Sequence, residues 1–303
     1  MVGCAVASAK YAQVETREVP IARVLKNLEK QPATFDTLTR RARLYAMSYA
    51  IDASKVTVRT ADPNDVFEGY VPPNAPHAGK VKRATAKGGK ALDRAIALYQ
   101  EALTSSPDEP VARLGLGWCL LEKGERDSAR KELEVAFEKA WEQSASAKAL
   151  WRAASLGEEI GSYLRPLLDP IRDARQLAEL DRRMAMLEKI PRKVTPILIP
   201  TEPRTELYAL IDHNARKAFD LDGASPRCRW QWISDEAAWL AWAPNARGPV
   251  RSGLQLFGNV TFWLFWNDGY EALCALDDDG DGQIAGNELH GLALWHRDGR
   301  LVD

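Results

Sequence analysis

The sequence has few cysteines and no pattern among them. Cys4, Cys119, Cys228 and Cys274 are the four in 303 residues. No two stand as C-x-x-C, which excludes a zinc ribbon and a thioredoxin-type redox pair. Four in so long a chain build no disulfide scaffold. Histidine is equally scarce, at His77, His213, His290 and His296, and none stands in H-E-x-x-H. His290 and His296 are six apart and would fall on different helix faces. The G-x-S-x-G elbow is absent. Gly115-Leu116-Gly117 opens a dinucleotide fingerprint without its third glycine. Ala84–Lys90 imitates a phosphate loop, but Ala91 stands where Ser or Thr would hold magnesium. No catalytic or cofactor-binding residue emerges, and the chain is expected to be non-enzymatic.

Charge excess is missing as well. Forty-one Lys and Arg offset 42 Asp and Glu, for a net charge of -1. That balance offers no electrostatic footprint for nucleic acid or an anionic membrane. Lys80, Lys82, Arg83, Lys87 and Lys90 form a basic patch that reads as a solvated linker. No transmembrane segment is expected. The most apolar stretch, Leu254–Trp266, is broken by Gln255, Gly258, Asn259 and Thr261, short of the roughly 18 apolar residues a span needs. Met1–Lys10 has no signal-peptide pattern as written. Val2-Gly3-Cys4 resembles the end of a lipoprotein cleavage site, but the apolar segment that should precede it is missing.

What is present falls into two regimes. Apolar residues recur at helical spacing from 21 to 190, as in Ile21, Val24, Leu25 and Leu28. The spacing predicts helices over Leu38–Ala50, Ala91–Ser105, Val111–Lys123, Asp127–Glu142, Ala145–Leu164 and about Ile171–Lys189. An insertion at 51–90, rich in Pro and Gly, interrupts them. Pro191, Pro196, Pro200 and Pro203 then mark an extended linker over 191–210, with Ile197-Leu198-Ile199 as a packed strap. Beyond it lie seven tryptophans: Trp230, Trp232, Trp239, Trp242, Trp263, Trp266 and Trp295. The expected layout is a tail over 1–20, a helical domain over 21–190, the linker, and a small domain over 211–303.

The helical part repeats. Ala95 and Ala129, Tyr99 and Leu133, and Ala102 and Ala136 are each 34 apart. Leu116-Gly117, Leu120, Gly124, Ala129, Leu133 and Ala136 complete a pattern that resembles the tetratricopeptide repeat. Small residues let paired helices approach and large ones fill between them. The repeat before it is split by the insertion, and the segment after Ala145 loses the signature. The resemblance implies an irregular helical-hairpin domain with a surface for a protein or peptide partner.

The C-terminal part carries an ion motif. Asp277-Asp278-Asp279-Gly280-Asp281-Gly282-Gln283-Ile284-Ala285-Gly286-Asn287-Glu288 fits D-x-D-x-D-G-x5-E in full. A hard cation such as Ca2+ takes six to eight oxygens. Asp277, Asp279 and Asp281 supply them from positions 1, 3 and 5, Gln283 offers its carbonyl, and Glu288 closes the shell. Ala285 leaves position 9 to water. Gly282 takes the sharp turn, where a Cβ would clash. The loop resembles the EF-hand, which implies an entering helix at Tyr270–Leu276 and an exiting one at Leu289–Trp295. Thirty-four positions earlier, Ala243–Leu254 keeps the glycine and apolar position 8 but carries Arg247 in place of acid. It reads as a degenerate loop that pairs structurally and binds nothing. Asp220–Gly223 and Arg297-Asp298-Gly299 look like further loop fragments.

The stretch from Ala215 to Gly299 resembles a bacterial calcium-binding module of exported proteins, through Leu256-Phe257-Gly258, Gly269-Tyr270-Glu271-Ala272-Leu273 and Leu294-Trp295. That resemblance implies calcium binding, no established activity, and an extracytoplasmic or cell-surface setting. The fold class expected is mainly α: a tetratricopeptide-like domain plus a small Trp-rich, EF-hand-like α(+β) domain. The function expected is a calcium-binding scaffold with one structural ion. The alternative is a polysaccharide-binding module using exposed tryptophans.

Overall fold

In the computed structural model, the described residues are 19–52, 56–59, 66–69, 86–145, 150–190, 193–203, 205–223, 229–244 and 249–302. Cys4, Cys228, Arg247, most of the 51–90 insertion and its basic patch up to Arg83 lie outside them. The chain divides into two units. One runs from Glu29 to Arg192, and the other joins Ala22–Leu28 to Lys193–Asp303.

The first unit is built of helices α2 (Phe35–Asp52), α3 (Ala86–Ser105), α4 (Pro110–Lys123), α5 (Arg126–Ser144), α6 (Leu150–Leu164) and α7 (Ala174–Leu187). They pack as neighbours: α2 on α3, α4 on α5, α5 on α6, α6 on α7. Between α2 and α3, strands β1 (Val56–Arg59) and β2 (Val66–Gly69) pair antiparallel, where the sequence predicts only a loop. Helix α4 shows why its ends fall where they do. Pro110 takes the first turn, where its missing N–H costs nothing. Gly124, at φ 83°, is the left-handed cap, and the Glu125 N–H bonds back to the Leu120 carbonyl.

Small residues set the helix spacing. A Cβ on Gly117 would lie 2.8 Å from the Leu133 side chain of α5, and one on Gly115 would enter the Tyr99 ring of α3. Ala129, Leu133, Ala136 and Ala140 form the buried stripe of α5. The last pair of helices follows the same rule, although its sequence lacks the repeat signature. A Cβ on Gly157 or on Gly161 would lie 2.5 Å from the side chains of Leu187 and Met184 respectively.

The second unit is mostly strand and turn. Strands β3 (Leu198–Pro200), β6 (Ala237–Trp242), β7 (Leu292–His296) and β8 (Leu301–Val302) form an antiparallel sheet in the order β3-β6-β7-β8. Strands β4 (Ile211–Ala218) and β5 (Arg229–Ile233) form a separate hairpin, bulged between Asp212 and Arg216. Part of the predicted linker is thus sheet: β3 is an edge strand, the one place where Pro200 is tolerated. The Ile197 N–H donates to the Phe257 carbonyl, and its carbonyl accepts from Leu240. Phe219, Trp232, Ile233, Trp239, Leu256 and Trp295 fill the core. Trp232 meets Trp239 and Trp295 edge-on, at 5.8 and 5.7 Å between centroids, the arrangement aromatic quadrupoles favour.

Two expectations are corrected here. Arg297-Asp298-Gly299 is no loop fragment but the tight turn between β7 and β8, with Gly299 at φ 94° and its N–H on the His296 carbonyl. The structural pairing of Ala243–Leu254 with the acidic loop is not found among the described residues. Ser252 bridges Asp220 instead, and Leu256 bridges Ala241.

Candidate metal centre

Helix α8 (Gly269–Cys274) leads into the acidic loop. The Asp268 side chain caps it, accepting from the Tyr270 and Glu271 N–H groups at 2.9 Å each. The entering helix therefore agrees with the motif. The exiting helix does not form. Glu288 lies within a single 3-10 turn, Gly286–Leu289, after which the chain becomes strand β7. Ala293 and Trp295 alternate into the core while β7 pairs with β6 along its length. A period of two, satisfied by a partner strand, outcompetes a helix of seven residues.

Within the loop, backbone donors orient the carboxylates. Asp277 accepts from Gly280 at 2.6 Å and from Gly282 at 2.9 Å. Asp279 accepts from the Asp281 N–H, and Asp281 from the Gln283 N–H at 2.7 Å. Gly280, Gly282 and Gly286 sit at φ 79°, 81° and 53°. A Cβ at each would meet nothing within 4 Å. Glycine is required by the left-handed backbone and not by a clash, which corrects the reason expected for Gly282.

The outcome is convergence of three of the five expected ligands. One carboxylate oxygen each of Asp277, Asp279 and Asp281 lies within 4.8 Å of the others. At that separation each pair of like charges repels by about 1 kcal/mol even in bulk water, and a divalent cation among them reverses the sign. Gln283 is exposed beside them, its side-chain amide 3.5 Å from Asp281. Glu288 stands apart from the cluster. It is buried, and its carboxylate closes on the loop's own backbone: Oε1 accepts from Asp278 and Asp279, Oε2 from Ala285 at 3.2 Å. The donor set is all oxygen and anionic, which fits Ca2+ better than a softer metal.

The sequence does not reveal who supports this loop. Helix α1 (Ile21–Glu29) contributes residues 22–28 to the same unit. Arg23 and Asn27 both reach Asp278, at 3.0 and 2.9 Å. Burial raises the Asp278 pKa, but the bonds from Asn27 and Arg23 outweigh it and hold it below the ordinary value. No local pattern links residues some 250 positions apart.

The tryptophans occupy the interior. Trp232, Trp239, Trp242, Trp263, Trp266 and Trp295 are all buried, and the half-buried Trp230 donates its indole N–H to the Phe219 carbonyl. Around Trp263 the backbone itself is unusual: Phe262, Trp263 and Phe265 are left-handed, at φ 54°, 53° and 57°. Buried Thr261 holds that turn, its hydroxyl donating to the Leu256 or Gly258 carbonyl at 2.7 Å and accepting from the Gly258 N–H. Such strain persists where packing over-determines it. Six of the seven rings thus build the core.

Two family models match the chain. Residues 88–151, covering α3 to the start of α6, match the tetratricopeptide repeat. Residues 208–298, covering β4 to β7 and the acidic loop, match the SPM domain. No curated protein and no solved structure matches it. The first match and the helical pairs show tetratricopeptide-like repeats over residues 88–151. No helix among the described residues is long and apolar enough to cross a membrane.

Proposed function

We propose that this chain is a non-enzymatic scaffold that presents a helical-repeat surface to a protein or peptide and binds one Ca2+ in the loop Asp277–Glu288. The observation carrying the calcium reading is the convergence of the Asp277, Asp279 and Asp281 carboxylates on a turn that left-handed glycines make. Those three side chains, the Gln283 carbonyl and Glu288 would hold the ion. Mg2+ fits less well, since it demands tighter octahedral geometry.

The ion is structural in this reading. A sensor EF-hand works by swinging its helices apart. Here the chain leaves the loop into β7, which is hydrogen-bonded to β6 and β8, so no exit helix is free to move. An affinity on the order of 10⁻⁴ to 10⁻³ M suits that role and an extracytoplasmic setting. Calorimetric titration of the chain with calcium chloride, beside Asp281→Asn, tests it. One site in the wild type, lost in the variant, supports the reading. No heat up to millimolar calcium overturns it and leaves the helical scaffold alone.

A further inference from the structure

We propose that Arg23 and Asn27 of α1 are positioning residues for the calcium loop, so that calcium binding and the docking of residues 22–28 are linked. The proposal rests on the calcium reading above. A twelve-residue loop binds well only when its ends are held at the separation that lets position 12 close on positions 1, 3 and 5. Arg23 ties those ends. Its Nη2 donates to the carbonyl of Leu276, just before Asp277, at 2.5 Å, and to the carbonyl of Glu288 at 3.2 Å. Its Nε pairs with the Asp278 carboxylate at 2.9 Å. One planar guanidinium thus spans the start, the second residue and the end of the loop, a reach a lysine ammonium does not match.

Asn27 supplies a second tie. Its Nδ2 donates to the Ala275 carbonyl at 3.1 Å and to Asp278 Oδ1 at 2.9 Å. The side chain is 4% exposed, so those bonds form away from competing water. Asp278 is the loop carboxylate that α1 holds, and it is not one of the three that converge. The division of labour is physical: one acid is spent on the helix and the others remain for the ion. Outer-shell partners of this kind fix ligand geometry before the metal arrives. Arg23 also brings a positive charge, which opposes a cation. Asn27 brings none, so its removal isolates positioning from charge.

Linkage is reciprocal. If α1 prepares the loop, calcium must in turn hold α1. The test uses the full chain. Amide hydrogen exchange of residues 22–28 is followed with and without saturating calcium chloride, and calcium affinity is measured for wild type, Asn27→Ala and Arg23→Lys. Exchange at 22–28 is expected to slow on saturation. Each variant is expected to bind calcium about tenfold more weakly, the lower end of outer-shell effects. Unfolding midpoints taken without calcium separate that loss from simple destabilisation. Unchanged exchange in the wild type, or variant affinities within about twofold of it, overturns the role of α1. If the wild type binds no calcium at all, the calcium reading falls and this one with it. If it binds and α1 does not respond, only the role of α1 falls.

Discussion

At the scale of single residues, the loop separates conformational demand from chemical demand. Gly282 has open space where a Cβ would go, yet sits at φ 81°. Gly282→Ala is therefore expected to cost about 1–2 kcal/mol, the penalty of a left-handed alanine, and to lower the unfolding midpoint with or without calcium. Glu288→Gln is expected to lower both stability and calcium affinity. Its amide keeps one acceptor oxygen where two accept from the Asp278, Asp279 and Ala285 N–H groups, and it sets a buried NH2 against a backbone donor; melts without calcium, paired with calcium titrations, measure the two losses separately. A third residue concerns the helical unit. Burial pushes the Glu122 carboxyl up to about 8, against the opposing hydrogen bond that Tyr49 donates at 3.1 Å. A carboxyl whose folded pKa is raised favours the fold while protonated. Its contribution is complete below the ordinary value of 4.5 and is lost as pH rises through about 8. Glu122→Gln is expected to match wild type near pH 5 and to be the more stable protein near pH 9, as urea titrations at the two pH values would show.

At the scale of elements, three glycines on helices differ only in what stands opposite them. A methyl on Gly89 meets nothing within 4 Å, so Gly89→Ala should stabilise by about 0.5–1 kcal/mol through chain entropy. On Gly157 the methyl meets the tip of Leu187, which is itself fully buried, so Gly157→Ala should destabilise, though less than a clash with a ring because only a side-chain end must shift. On Gly115 it enters the Tyr99 ring, which is 1% exposed and has no room to retreat. Gly115→Ala should destabilise by about 1–3 kcal/mol. Denaturant titrations giving any other order would overturn this account of helix spacing. The same elements show what a sequence can carry. Helices α4 and α5 are legible because Pro110, Gly124 and the Ala129–Ala140 stripe are local signals. The close approach of α6 and α7 was written in Gly157 and Gly161, four apart, but lies outside the 34-residue period. The motif predicts a helix where β7 forms, because Leu292–Trp295 is too short for its periodicity to decide. Its partner, β6, decides it from 50 residues away. The acidic residues that converge in the loop follow a local motif and are legible for that reason, whereas Arg23 and Asn27 reach the loop from some 250 positions away and leave no local trace.

At the scale of the whole molecule, each unit buries its own core, and the tryptophans report one of them. Seven of the ten lie between Trp230 and Trp295, inside the unit that carries the loop. Helix, by contrast, is concentrated in residues 35–187. Fluorescence therefore follows mainly the second unit, and circular dichroism at 222 nm mainly the first. Calcium that binds only the folded loop stabilises its unit by RT ln(1 + [L]/Kd). At 1 mM calcium and a Kd between 10⁻⁴ and 10⁻³ M, that amounts to about 0.4–1.4 kcal/mol. For a unit of this size the fluorescence midpoint should rise by roughly 2–10 °C. The 222 nm midpoint should stay within a degree or two, since no expected ligand lies in the repeat. Asp281→Asn should abolish the fluorescence shift and leave the dichroism unchanged. If both midpoints rise together in wild type, the two units unfold as one cooperative body, and a structural ion in the loop then supports the helical-repeat surface as well.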